Sequence, residues 1–158
     1  MKARYNSLEQ KVNEITNQVI KFKHSYDTCN TLDLVEERKH RDNSNKFFHD
    51  VKSPYKTIKG NQRTTEMVVY APEYNLHLRL ECKEQKTVSS LIYGMYFELE
   101  CVKDLPEDII CYILDGVYTD LNVNKLLTDK VKALGISNRV WIGSLKEYEA
   151  MIRKAVNK

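Results

Sequence analysis

The sequence has few of the residues that staple small secreted domains, and it has no long apolar run. Of its 158 residues only four are cysteine, five glycine and three proline. A chain of this length can bury a core without disulfides, so we expect four reduced and mostly buried thiols at Cys29, Cys82, Cys101 and Cys111. No apolar run approaches the roughly 20 residues that cross a bilayer, and the polar sequence after Met1 is unlike a secretion segment. We therefore expect a single domain over residues 1–158, located in the cytoplasm.

Three common functional motifs are also missing. The five glycines are scattered and form neither a phosphate-binding loop nor a Gly-x-Ser-x-Gly elbow. The four histidines show no H-x-x-x-H or Cys/His spacing of the kind that builds a zinc site. The sequence therefore argues against nucleotide-driven enzymes, serine hydrolases and structural zinc proteins.

The small net charge of +3 hides an asymmetry along the chain. Residues 1–63 hold 13 basic and 8 acidic side chains, whereas residues 64–158 hold 12 basic and 14 acidic. The basic excess is densest in residues 52–63, which hold no acid and four basic side chains: Lys52, Lys56, Lys59 and Arg63. Such a cluster can neutralise the backbone phosphates of a nucleic acid. A solvated loop is the other interpretation, because short charged runs often only keep a surface wet.

The N-terminal third begins with a helical pattern and then loses its periodicity. Apolar residues recur every three or four positions from Ser7 to about Phe22, which predicts an amphipathic helix with Ser7 as its N-cap. From Asp27 to Pro54 the sequence is polar and irregular, with scattered apolar residues that could dock on a core. We therefore expect residues 1–54 to form a helical N-terminal part.

After Gly60 the apolar period changes to two. Residues 65–70 and 76–83 are rich in strand formers and are separated by a turn with Pro72 and Asn75, which predicts a β-hairpin. One face of the second strand is apolar and should meet the core: Leu76, Leu78, Leu80 and Cys82. The other face is polar: His77, Arg79, Glu81 and Lys83.

The remaining elements alternate between helix and strand. A helical pattern opens at Ser89 and closes at Pro106, and the apolar run 109–114 predicts a central strand covered on both faces. A helix over about 122–134, a strand over 139–142 and a last helix opened by a capping box at Ser144 complete the chain. Successive strands joined by helices form parallel pairs with a crossover. The sequence therefore predicts an α/β fold, with a mixed central sheet flanked by helices.

The triplet Glu81-Cys82-Lys83 is the most informative candidate site. Residues two apart on a strand share a face, about 7 Å apart, so Glu81 and Lys83 lie together. A hairpin register in which paired residue numbers sum to 147 would add Glu66 opposite Glu81. Two carboxylates bind a hard divalent cation, and a neighbouring lysine can position or help deprotonate a bound water. The alternative is an ordinary solvated strand face, where Glu/Lys alternation aids solubility and cross-strand pairing.

Three segments of the chain resemble small bacterial and phage members of the PD-(D/E)xK nuclease superfamily. Residues 55–60, Tyr-Lys-Thr-Ile-Lys-Gly, are similar to their "YKTI-x-G", and Arg63-Thr-Thr-Glu66 is similar to their "GRTEF". Residues 78–85, Leu-Arg-Leu-Glu-Cys-Lys-Glu-Gln, are similar to their "IRIECKWQ". The resemblance extends loosely from Tyr55 to about Met151, and residues 1–54 match only as a leading helix. The family's first acid is usually Asp, whereas this chain has Glu66.

The resemblance implies a restriction-endonuclease-like fold and a metal-dependent phosphodiesterase. In that case Glu66 and Glu81 hold Mg²⁺ or Mn²⁺, the carbonyl of Cys82 adds an oxygen ligand, and Lys83 orients the attacking water. Gln85 is similar to the family's residue after the triplet, with a role near substrate or metal. Glu9 resembles a glutamate in the first helix of some members, although it is also a first-turn acid favoured by the helix dipole.

Together these features predict a Mg²⁺-dependent deoxyribonuclease, an endonuclease, that binds DNA phosphates through Lys56, Lys59 and Arg63. The alternative is a catalytically degenerate module on the same fold that binds nucleic acid or protein. An enzyme that cuts both strands with one active site per chain would act as a two-fold homodimer.

Overall fold

The computed structural model describes residues 8–27, 32–56, 62–84, 88–114 and 121–157. At 32–35, 52–56, 62–66, 88–90 and 121 only the backbone is described. The helices are α1 Leu8–Val19, α2 Leu32–Lys39, α3 Val88–Glu100, α4 Leu121–Ala133 and α5 Leu145–Val156. The strands are β1 His24–Tyr26, β2 Lys46–Lys56, β3 Gln62–Ala71, β4 Leu76–Lys83, β5 Ile109–Leu114 and β6 Val140–Ser144.

One six-stranded sheet takes its strands in chain order, β1-β2-β3-β4-β5-β6. Strands β2, β3 and β4 form an antiparallel meander, whereas β4, β5 and β6 run parallel to one another. The parallel pairs follow from the helical crossovers α3 and α4, because a strand can return in the same direction only across a face of the sheet. The predicted α/β fold with a mixed sheet flanked by helices is confirmed.

Apolar clusters lie on both faces of the sheet. On one face α1 and α5 pack against alternating residues of the meander and of β5, including Phe47, Val69 and Leu80. On the other face α3 and α4 pack against Ile110, Tyr112 and Leu114 of β5. The continuous apolar run 109–114 is therefore buried on both sides, as predicted for a central strand.

The last helix begins as its sequence predicts. Ser144 accepts a hydrogen bond from the Glu147 amide, and the Glu147 side chain accepts one from the Ser144 amide, which completes a capping box. On its buried side, Tyr148 forms a 2.6 Å hydrogen bond to Thr16 of α1, across 132 residues of sequence. None of the helices in the described ranges is long and apolar enough to span a membrane.

The prediction of a helical N-terminal part over residues 1–54 was wrong in its second half, because residues 24–54 supply β1 and most of β2 besides helix α2. Strand β1 pairs parallel with β2, and β2 pairs antiparallel with β3 through most of its length. Inside β2, Asp50 has a left-handed backbone with φ 51°. Beyond this residue the two-residue alternation fails, so that Phe48 and Val51, three apart, join one apolar cluster. The irregular apolar spacing of the sequence thus reflects an irregular strand.

Candidate active site at the carboxyl end of β4

The β3–β4 hairpin has the register that the sequence predicts. Tyr70 lies opposite His77, and Met67 lies opposite Leu80. Residue numbers therefore sum to 147 in every described pair of this ladder. One further step along the two strands would pair position 66 with position 81. The side chain of Glu66 lies outside the described residues, so its place opposite Glu81 stays a prediction.

The polar face of β4 is buried. Side chains of Arg79, Glu81 and Lys83 are 1%, 4% and 5% exposed. The sequence-based alternative of a solvated Glu/Lys face is therefore wrong for these residues. These side chains are buried by tertiary packing. The neighbouring strand β5 carries apolar residues on the same face of the sheet, and α3 and α4 pack over that face. Charged side chains under such a cover need partners of opposite charge.

At the carboxyl end of β4, Lys83 meets a carboxylate that the sequence analysis did not select. Its Nζ donates to Oε2 of Glu98 on α3 at 2.5 Å, and both side chains are at most 5% exposed. Oε2 of Glu81 lies 3.9 Å from the same Nζ, at the outer limit of an ion pair. One ammonium thus lies between two buried carboxylates, so the three residues form a Glu81-Lys83-Glu98 cluster.

Glu98 had a weak sequence signal that sequence reasoning missed. Leu91, Met95 and Leu99 form the buried stripe of α3, and Glu98 follows Leu91 by seven positions and Met95 by three. Positions seven and three apart share one side of a helix. A carboxylate on the apolar side of a helix predicts a buried partner, although only the fold shows that this partner is Lys83.

Next along the same face of β4 is a second ion pair. Arg79 Nε donates to Glu107 Oε2 at 3.1 Å, and Arg79 Nη2 donates to Glu107 Oε1 at 2.7 Å. Arg139 donates to the carbonyl oxygens of Val102, Leu105 and Glu107, which fixes the segment before β5. These contacts hold the Glu107 carboxylate against Arg79, so the pair is a structural element beneath the cluster.

The strand directions bring the basic cluster to the same edge of the sheet. Because β3 runs against β4, the start of β3 and the end of β2 lie at the edge where β4 ends. Lys56 ends β2, and Arg63 is the second residue of β3. Their side chains, together with Lys59 and Gln85, lie outside what the structure describes. The role of these four residues therefore stays a prediction.

The start of α1 reaches this edge too. The backbone amide of Leu8 donates to Oε1 of Glu84, the residue after Lys83, at 3.0 Å. A carboxylate at a helix N-terminus satisfies a free amide and interacts favourably with the helix dipole. Glu9 lies in this first turn, where a carboxylate interacts favourably with the helix dipole.

The donor set suits a hard divalent cation. Glu81 supplies carboxylate oxygens, the ligands that Mg²⁺ and Mn²⁺ prefer. Among the described residues no three His, Cys, Asp or Glu side chains gather into a metal-binding group. A complete carboxylate site therefore requires a further ligand such as Glu66. The residues present fit such an ion.

Three cysteines lie in the described part of the chain, and all three are free thiols. Burial raises the pKa of Cys111 to about 12, which keeps the thiol protonated and unreactive. Cys82 and Cys101 are partly buried free thiols, and burial also raises the pKa of Cys101. Within the described part of the chain, the expectation of reduced thiols fits all three residues, whereas Cys29 lies outside it.

Comparison with known families gives one match. A model described as PD-(D/E)XK nuclease superfamily domain matches residues 4–154, which is nearly the whole chain. No curated protein matches the chain. The matched range includes β4 with its Glu-x-Lys triplet, and it also includes residues 4–54 of the N-terminal part, where the sequence resemblance was limited to a leading helix.

Proposed function

Because the chain belongs to the PD-(D/E)XK nuclease superfamily, we propose that it is a divalent-metal-dependent nuclease that hydrolyses phosphodiester bonds in DNA. The observation that carries the proposal is the placement of Glu81 and Lys83. The two residues lie side by side on the polar face of β4, at the edge of the sheet where β2 ends and β3 begins. Superfamily membership supports a nuclease, and these residues supply the carboxylate and ammonium that such a reaction needs.

Glu66, Glu81 and the carbonyl of Cys82 would hold Mg²⁺ or Mn²⁺. A bound divalent ion would supply Lewis-acid stabilisation of the phosphate and a water of lowered pKa. The support for Glu66 is the hairpin register, which is one step short of placing it opposite Glu81. Two carboxylates on directly opposite residues of a hairpin repel each other unless positive charge lies between them.

Lys83 is proposed to donate a hydrogen bond to the attacking water and to hold it in line with the scissile phosphate. An ammonium has three donors, so Lys83 can contact Glu98 and a water at once. Gln85 is proposed to contact substrate or metal, because it follows the triplet by two residues. These roles are those of positioning and charge stabilisation, which dominate phosphate-ester chemistry in proteins.

Lys56, Lys59 and Arg63 are proposed to bind DNA phosphates. The support is geometric, because the end of β2 and the start of β3 lie at the same edge of the sheet as Lys83. Cations there would draw a polyanion towards the cluster. A homodimer in the cytoplasm is proposed for an enzyme that cuts both strands of a duplex, since each chain supplies one site.

Cleavage of supercoiled plasmid by the purified protein tests the proposal. We expect nicking or linearisation with Mg²⁺ or Mn²⁺, and none with a chelator. Glu81→Gln and Lys83→Met should lose cleavage and remain folded in circular dichroism. Glu100→Gln is the matched control, because this carboxylate lies on the outer side of α3, is 57% exposed and pairs with Lys130 of α4. Undiminished cleavage by Glu81→Gln would remove the site assignment.

The alternative is a binding module that has lost catalysis. It is favoured by the burial of Glu81 and Lys83 to 5% exposure or less and by the contact of Lys83 with Glu98. In that case the cluster would be a structural ion pair. The wild-type protein would then bind DNA in a salt-dependent manner and leave plasmid uncut with either metal.

A further inference from the structure

We infer that Glu98 is a positioning residue that holds the ammonium of Lys83 for the proposed hydrolysis, so the inference rests on the proposed function. It adds to the site a residue from α3 that lies fifteen positions beyond Lys83 in sequence. The contact is the short one of the cluster, 2.5 Å against 3.9 Å for Glu81. Charge-assisted hydrogen bonds are stronger than those between neutral groups.

The position of Glu98 is fixed by helix packing. Leu91, Met95 and Leu99 anchor α3 in the apolar cluster over β5, so the Glu98 carboxylate projects from a rigid element. Lysine, by contrast, has a flexible four-carbon stem with many rotamers. A site on a strand or helix holds a functional group more accurately than a loop does. Glu98 therefore holds the Lys83 ammonium in one of the many positions that the lysine side chain could adopt.

A carboxylate separate from Glu81 has a specific use here. A divalent cation held by Glu81 would repel the nearby ammonium. If Glu81 were the lysine's only anion, the two positive charges would compete for one carboxylate. Glu98 gives Lys83 its own counter-charge, so the ammonium can remain beside Glu81 while Glu81 engages a cation. A second, helix-borne carboxylate is thus what allows lysine and metal to occupy one small site.

Single variants on α3 separate positioning from general stability. Glu98→Gln keeps the shape and removes the charge, Glu98→Asp keeps the charge at a shorter reach, and Glu100→Gln is the exposed control. On plasmid DNA with Mn²⁺, we expect Glu98→Gln to lose on the order of 10²-fold in kcat, which is typical of misplacing a reacting group by about 1 Å. KM should not change, the Mn²⁺ affinity measured by calorimetry should fall by much less than kcat, Glu98→Asp should retain more kcat than Glu98→Gln, and Glu100→Gln should match the wild type.

A measurement without metal or substrate tests the ion pair itself. Lys83→Met and Glu98→Leu should each lower the urea midpoint of unfolding, because each leaves a buried charge without its counter-charge. The double variant should lose less stability than the sum of the two single losses, while cleavage stays lost. Additive losses of stability in this cycle would show that the two residues do not interact, and would overturn the inference.

The outcomes also separate this inference from the proposed function. Cleavage by the wild type with undiminished kcat in Glu98→Gln overturns the role of Glu98 alone. A loss of Mn²⁺ affinity in Glu98→Gln equal to its loss of kcat would make Glu98 a metal ligand, which also overturns it. No cleavage by the wild type overturns the proposed function and the positioning role together.

Discussion

Glu107→Gln should destabilise the protein severely, because it removes the counter-charge of a buried guanidinium. Arg79 and Glu107 side chains are each 1% exposed and share two hydrogen bonds of 3.1 and 2.7 Å. Glutamine would keep one carbonyl acceptor but would turn an amide donor towards the other arginine donor. Breaking one partner of a buried ion pair typically costs about 3–5 kcal/mol.

The surrounding structure limits how far the Arg79 guanidinium can move after Glu107 is replaced. Arg139 donates to the carbonyl of Glu107, so the backbone that carries the substituted side chain stays in place. Domains of this size have free energies of unfolding of about 5–15 kcal/mol. A loss of about 3 kcal/mol would be a large share of that total. Urea unfolding followed by circular dichroism measures the change directly.

A double-variant cycle identifies the cause of that loss. Arg79→Met combined with Glu107→Leu removes both charges and fills the space with apolar groups, which is often neutral for a buried pair. The double variant should therefore be more stable than Glu107→Gln or Arg79→Met alone. If Glu107→Gln costs less than about 1 kcal/mol, which is the scale of an exposed ion pair, the pair is not buried as described and the reasoning is refuted.

Two further predictions concern the pH dependence and the α1–α5 contact. Burial lowers the pKa of His77 below its usual 6.5, and the Lys39 ammonium lowers it further. The unfolded chain therefore binds this proton more readily than the folded protein does. The stability contributed by neutral His77 is present above about pH 6.5 and declines as pH falls below it. Urea midpoints at pH 7.5 and 5.5 should therefore differ more in the wild type than in His77→Gln, with exposed His40→Asn as the control, and equal differences would contradict the assignment. Thr16 donates to the Val12 carbonyl at 2.7 Å, so Tyr148 is the donor in its 2.6 Å contact with Thr16. Thr16→Val, which strands a buried hydroxyl, should cost about 1–3 kcal/mol, more than Tyr148→Phe at about 1 kcal/mol, and the reverse order in urea unfolding would contradict this donor assignment.

The hairpin was predictable because its signals are local. Strict alternation over residues 76–83 and turn residues at Pro72 and Asn75 fix both the strand and its register, and Asn75 adopts the left-handed backbone, φ 55°, that its short polar side chain tolerates. Strand β2 was missed for the converse reason. Its apolar residues Phe48 and Val51 reach one cluster only because Asp50 interrupts the alternation.

The site was predictable only in the part that lies on one strand. Spacing on β4 brings Glu81 and Lys83 together, and that proximity is present in the structure. The burial of this polar face depends on helices placed later in the chain, and the Lys83–Glu98 contact depends on how α3 lies over β4. No local pattern encodes the packing of one element on another. Glu98 became identifiable as Lys83's partner only when the fold was known.

The strand order has a consequence for how the chain is assembled during synthesis. Every strand of the described sheet after β1 has the preceding strand in the sequence as a neighbour, so each new strand can join an edge that already exists. Such successive pairing limits the time for which an apolar edge is exposed. Helix α1, by contrast, packs against a distant part of the sequence, because Tyr148 and Ile152 of α5 complete its apolar cluster. Among the described helices, α1 is therefore separated from its covering helix by the greatest length of chain, and a chaperone that binds nascent apolar helices would have its longest opportunity there.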